Sequence, residues 1–191
     1  LPAYRPNQVQ GLTLKKGSTM PESPAVVQPT ETQRTPVSIY EIQHWIKFPG
    51  QTNFIRVTET TKADPEREAK SYEPTYIDRK TQPKYNLGKT DTFSFEVDAM
   101  GPGGIQKILA SYEDVLDVPV EYVRTCGYDF KAGKACEKTA LVAKHAKATL
   151  NVSPFSGSDI APIKIAFKVA ITDEYEYGTF NYDTAAFTKA A

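Results

Sequence analysis

The run from Tyr72 to Tyr122 carries the order of elements that decides the fold. Tyr72-Glu-Pro-Thr-Tyr-Ile-Asp-Arg-Lys-Thr-Gln-Pro83 is charged and marked by prolines, which reads as a turn region. In Thr92-Phe-Ser-Phe-Glu-Val-Asp98, the residues Phe93, Phe95 and Val97 alternate with Ser94, Glu96 and Asp98, the period of a half-buried strand. Met100-Gly-Pro-Gly-Gly104 breaks that strand. Ile105, Ile108, Leu109, Tyr112 and Leu116 then recur at helical spacing, so the stretch is one amphipathic helix whose apolar stripe packs across a sheet. Val118-Pro-Val-Glu-Tyr122 opens the next strand.

Upstream, Tyr40, Ile42, Ile46 and Phe48 fall on one face of a strand beginning at Ser38, with Glu41, Gln43 and Lys47 on the other. Pro49-Gly50 supplies a turn, and Asn53 to Glu59 returns as a partner strand. Trp45 falls on the polar register, so it is either shielded by another element or sits at a contact between chains. Thr60 to Lys70 mixes charges around a proline without a large apolar residue and reads as a long exposed loop. Lys62, Asp64, Glu66, Arg67 and Glu68 are its candidates for contact between subunits, the alternative being a solvated excursion. Tyr72, Tyr76 and Tyr85 follow beside Arg79, and this aromatic content exceeds what a solvated loop needs, which adds them to the contact candidates.

Downstream, Cys126 and Cys136 bracket a hairpin tip. Two free thiols are expected in a reducing cytoplasm, and a bridge would require the two positions to face each other. Glu137 to Val152 reads as a long strand, decorated by Lys144, His145 and Lys147 on an exposed polar face. After the loop Ser153 to Asp159, Ile163, Ile165, Phe167, Val169 and Ile171 alternate with Lys164, Ala166, Lys168 and Ala170. Asp173 to Glu176 is read as a turn and Tyr177 to Asp183 as the strand that closes the hairpin. The sum is a mainly β domain over residues 38–191, a β-sandwich or flattened barrel of about seven strands with one α-helix. Residues 1–37 hold six of the fourteen prolines and no periodicity, and read as an extended N-terminal arm.

Composition and motifs narrow the function. Lys plus Arg and Asp plus Glu each total 23, so there is no global basic field for nucleic acid. Zero net charge suits a protein that packs against its own copies. No run of 18 apolar residues marks a membrane span, and the first residues lack the basic-then-apolar order of a secretory signal. Phe155-Ser-Gly-Ser-Asp is no nucleophile elbow, and Gly101-Pro-Gly-Gly lacks the rest of a dinucleotide fingerprint. His44 and His145 are too scattered to join the two cysteines at a zinc ion. Glu96 and Asp98 are same-face neighbours on one strand and not a glycosidase pair. No enzyme activity, cofactor or metal is expected.

The order from Tyr72 to Tyr122 resembles the major tail tube protein of long-tailed, siphovirus-type bacteriophages, in which one helix interrupts a β-built subunit. The hairpin around Ser38 to Glu59 with its charged loop is similar to that family's N-terminal hairpin and long inter-ring loop. The ending Ala148 to Asp159, then Ile163-Lys-Ile-Ala-Phe-Lys-Val169, then Glu176-Tyr-Gly-Thr-Phe-Asn-Tyr-Asp183 and on to Thr188 resembles the family's closing segments. The resemblance implies a structural virion protein that assembles into stacked hexameric rings, a conduit for genome ejection. Its implied partners are its own copies, a tape measure protein, and the tail terminator and tail tip proteins, with DNA passing through unbound and no membrane contact. Location in the virion tail, after assembly in the host cytoplasm, follows. Glu96 and Asp98 are the lumen candidates, expected on a strand face nearer the lumen than the one bearing Lys164 and Lys168. The alternatives are the inner tube of a contractile tail or bacteriocin particle, and a carbohydrate-binding or adhesion module with Tyr72, Tyr76 and Tyr85 as a sugar platform.

Overall fold

The computed structural model describes residues 36–100, 104–158 and 160–190. The proline-rich stretch 1–35 and the glycine-proline break at 101–103 lie outside them. In chain order, a 3-10 turn (Ile39–Glu41) leads into β1 (Ile42–Lys47), β2 (Ile55–Arg56), β3 (Thr60–Tyr72) and β4 (Tyr85–Asp98). Helix α1 (Gly104–Ala110) precedes β5 (Val118–Cys126), β6 (Tyr128–Asp129), β7 (Lys134–Ala135) and β8 (Leu141–Val152). β9 (Ser156–Ser158), β10 (Ala161–Ile171), β11 (Glu176–Asn181) and β12 (Ala186–Lys189) complete the chain. Ten strands form one antiparallel sheet, seven of them along the path β2-β1-β5-β8-β10-β4-β3 with β9 beside β10 and β11 and β12 beyond β8, and β6 pairs β7 at the hairpin tip between the cysteines. Cys126 and Cys136 are both free.

The sheet rolls up because its alternating apolar residues need a common interior. Phe93 on β4 and Tyr122 on β5 lie 4.9 Å apart between ring centroids, although β8 and β10 separate their strands in the sheet. Phe95, Phe167, Leu150, Val97 and Val169 fill the inside of the roll, with Ile105 and Leu109 of α1 fully buried against them. The helix is shorter than its apolar stripe suggested. After Ala110 the backbone tightens into bonds to the third residue back (Ser111 to Ile108, Tyr112 to Leu109, Val115 to Tyr112), which swings Leu116 off the stripe into solvent. Tyr112 stays, stacked 5.8 Å from Phe48.

A second apolar layer covers the outer face of the same central strands. Trp45, Val123, Leu141, Ala143 and Phe180 point there and are closed over by Phe54, Tyr182 and Phe187. Shielding by another element is therefore what happens to Trp45, and it is core of this subunit, 4.7 Å from Phe180 and 5.3 Å from Tyr182. Its indole N–H donates to the Thr125 hydroxyl at 3.3 Å. Gly178 makes this layer possible, since a Cβ there would lie 2.1 Å from the backbone oxygen of Thr188 on β12.

Several sequence expectations are corrected. Thr60–Lys70 is not a loop, for it pairs continuously with β4 from Thr60↔Val97 to Tyr72↔Tyr85. Backbone hydrogen bonds and polar or aromatic cross-strand pairs such as Arg67–Asp91 and Tyr72–Tyr85 hold its outer half, and such a ribbon leaves no apolar alternation in the sequence. Asp173–Glu176 does not reverse the chain. β10 pairs β8 up to Ile171↔Ala148 and β11 resumes in the same direction at Glu176↔His145, so the segment between is a bulge in one continuous line. Beyond the bulge the line leaves β4 and takes β12 as its neighbour. Tyr40 precedes β1 and is exposed, the return strand after Pro49 shrinks to β2, and β9 forms in the stretch read as a loop. His145 is not on an exposed face. Its side chain is 14% exposed, between Glu121 at 3.1 Å and Glu176 at 3.2 Å, and its ring stacks on Phe187.

Candidate assembly surface

β3 is the edge of the sheet, and its distal half together with the start of β4 runs past the core as a two-stranded ribbon. Every residue from Asp64 to Tyr76 on this ribbon is exposed except Pro74, as are Tyr85 to Lys89. A ribbon of this kind is marginal alone, so what covers it decides whether it persists. Its unpaired outer edge is the kind of surface that takes another strand, interrupted at Pro65 where no N–H is available.

The tip is built to hold apolar groups out. Gln82 accepts from the Tyr76 N–H at 2.7 Å and donates to the carbonyls of Tyr76 and Arg79, closing the turn with its side chain. Arg79 lies over the Tyr76 ring at 5.4 Å, Lys84 pairs with Glu73 at 2.5 Å, and Tyr72 stacks on Tyr85 at 6.3 Å. On this frame Ile77 is fully exposed at 104%, with Leu87, Tyr72, Tyr85 and Tyr76 beside it. Isolated exposed apolar residues are ordinary, whereas five on one projecting element make it a candidate contact surface.

Charge along the arm is mostly self-compensated. Lys62 meets Asp64 at 3.2 Å, Lys70 meets Glu68 at 2.7 Å, and Arg67 grips Asp91 through two bonds of 2.5 and 2.8 Å. The Arg67 guanidinium holds the Asp91 carboxyl below its usual range, and Lys84 does the same for Glu73. Glu66 stands without such a pair among the described residues. The arm thus offers apolar groups at the tip and little net charge along its length, which lowers the desolvation cost of covering it.

The structure brings Lys62, Asp64, Glu66, Arg67, Glu68, Tyr72, Tyr76, Arg79 and Tyr85 onto this one arm and keeps Trp45 away from it, inside the subunit. Ile39, Tyr40, Ile77 and Leu87 were missed as contact candidates. Tyr40 and Ile39 line a cavity of about 650 Å³ along the open seam between β1 and β3, with Ala63 and Phe93 at its far wall. Only Ile77 had a signal in sequence, by its place among the tyrosines.

Glu96 and Asp98 do not lie on a face separate from the lysines. The register Lys164↔Asp98, Ala166↔Glu96, Lys168↔Ser94 puts Lys164 and Lys168 on the same outward face. Lys164 bonds Glu96 directly and stands 3.9 Å from Asp98, and this partner lowers the Glu96 carboxyl. The face is mixed and close to neutral, because antiparallel pairing sets the two strands' polar positions side by side.

No protein-family profile matches the chain, and no curated protein matches it by sequence. Among solved structures, a chain from the tail of an empty GTA particle, computed with helical refinement and C6 symmetry, superposes with a TM-score of 0.51 at 8% identity. The overlap covers 74% of this chain and 98% of that one. A chain from the virion of a native gene transfer agent particle overlaps at a TM-score of 0.46 with 9% identity, covering 74% and 98%. A chain from the six-fold symmetrised anti-feeding prophage baseplate overlaps at 0.46 with 6% identity, covering 78% and 98%. The chain has the fold of the first of these, a mainly β subunit with one short helix.

Proposed function

We propose that this chain is a structural subunit of a phage-type tail tube, assembling into stacked hexameric rings around a hollow axis. The observation that carries the reading is the projecting β3–β4 arm. It buries little within its own subunit, exposes Ile77, Leu87, Tyr72, Tyr76 and Tyr85, and belongs to a fold shared with a chain of a tail refined with C6 symmetry. An element that cannot be stable alone needs a neighbouring copy to cover it. Rings supply the neighbours, since each open edge strand is met by the next subunit.

In this reading the arm tip makes the contact between rings, and the charged pairs of β3 lie between subunits. The mixed outward face of Glu96, Asp98 and Lys164 is the lumen side, where near-neutrality lets DNA slide without being held. The particle is of the long-tailed type. The chain's partners are its own copies, a tape measure protein, and the proteins that cap the two tail ends, and it performs no catalysis.

The test is negative-stain electron microscopy of the purified chain at high concentration, with and without tail tip complexes as nuclei, beside Ile77→Glu. Rings or hollow tubes from the unaltered chain and none from the variant support the reading. A persistent monomer under both conditions refutes it and favours a binding module that uses the tyrosine cluster.

A further inference from the structure

Where the β10–β11 line leaves β4, a second polar cavity of about 250 Å³ opens at the mouth of the rolled sheet. Its floor is a row of directly opposed residues on three strands, Arg124↔Lys144 and Lys144↔Tyr177, with His44 opposite Arg124 one strand further out. They share the interior face with Tyr122, the residue two before Arg124. Two cations facing each other across adjacent strands repel, and here both are half-buried beside aromatic walls that weaken solvent screening. Among the described residues neither Arg124 nor Lys144 has a carboxylate within ion-pair distance. Lys144 instead lies 5.3 Å over the Tyr177 ring.

The opposite wall comes from the arm. Arg67 and Lys89 stand there with Asp91, whose charge is already taken by the two bonds from Arg67 and by Lys89 at 3.7 Å. Glu66 is at the rim. Tyr175 completes the wall, and burial, with the adjacent Asp91, pushes its phenol up to about 12, so it remains a hydrogen-bond donor. His44 offers no relief, because burial and the Arg124 charge push it down to about 4 and leave it neutral. The cavity therefore gathers four cations against two carboxylates, one of which is spoken for.

We propose that this pocket binds a phosphate-class oxyanion, held by Arg124 and Lys144 from the body and by Arg67 and Lys89 from the arm. The ligand would bridge the two walls and fix the direction of the arm. The site stands whether or not the chain builds a tube. Its source is either free phosphate or a phosphodiester group, and both present the same tetrahedral oxygens.

The test is titration of the full chain with inorganic phosphate at constant ionic strength, read by calorimetry and by the thermal midpoint, beside Arg124→Gln, Lys144→Gln and the control Lys147→Gln on the other face. Saturable binding by the unaltered chain and the control, weakened at least tenfold in either pocket variant, is the expected result. Folding of each variant is checked by Trp45 emission, and the anion comparison below needs only the unaltered chain. Equal shifts of the thermal midpoint by phosphate and by chloride at matched ionic strength overturn the proposal, as does undiminished binding in both pocket variants. A short single-stranded oligonucleotide that competes with phosphate assigns the site to phosphodiesters, and one that does not assigns it to free phosphate.

Discussion

Replacing Phe180 by alanine tests the second apolar layer, the part of the architecture least expected from sequence. The side chain is fully buried, with its ring 4.7 Å from Trp45 and 5.8 Å from Phe54. A phenylalanine takes roughly 150–250 Å² out of water, about 4–6 kcal/mol at ~25 cal/mol per Å². Alanine keeps part of that, and the rigid backbone of β8 and β12 on either side limits collapse of the cavity, so the expected loss is about 3–5 kcal/mol. Trp45 is the single tryptophan and lies in this layer, so urea unfolding followed by its emission reads both stability and packing. The variant should unfold at a lower midpoint and emit further to the red when folded, as Trp45 loses its cover. A loss below about 1 kcal/mol with unchanged emission would refute the claim that the C-terminal hairpin is held by this contact.

His44 should remain neutral far below the usual range. Its folded value near 4 lies under the unfolded value near 6.5, so between these the unfolded chain binds a proton that the folded chain does not. Stability should fall as pH drops from 6.5 to 4, by up to about 3 kcal/mol from this group, and ring-proton shifts should show no titration above pH 5. A midpoint near 6.5 contradicts the burial. Gly178→Ala should destabilise by about 1–3 kcal/mol, measured by urea unfolding, because its Cβ meets the Thr188 carbonyl 2.1 Å away. A neutral result shows that β11 and β12 are not so closely paired. Glu96→Gln breaks a partly exposed pair with Lys164 and should leave the midpoint of a thermal melt nearly unchanged. A marked drop means that the pair is buried deeper than its exposure indicates.

The strands that alternate cleanly were legible in sequence. β4 and β10 each bury one face and show the other to water, so Phe93, Phe95 and Val97 announced one and Ile165, Phe167 and Val169 the other. β1, β5 and β8 are covered on both faces, which removes the alternation and made Trp45 and His145 look misplaced. The arm was hidden for the opposite reason. With both faces of β3 exposed beyond Asp64, its pairing rests on backbone bonds and a few cross-strand contacts such as Arg67–Asp91, none of which leaves an apolar alternation. The exposed tyrosines Tyr72, Tyr76 and Tyr85 stood out in the sequence because aromatic residues in a polar stretch demand cover. The face shared by Glu96 and Lys164 could not, since it depends on a register between strands far apart in sequence.

The most direct test of the assembly is a cryo-electron microscopy map of the chain after nucleated polymerisation. The account requires six subunits around an open axis, with the β3–β4 arm and Ile77 buried against another copy and the Glu96, Asp98 and Lys164 face turned to the lumen. A map in which copies associate while the arm stays free in solvent, or a sample that never leaves the monomer, would contradict it.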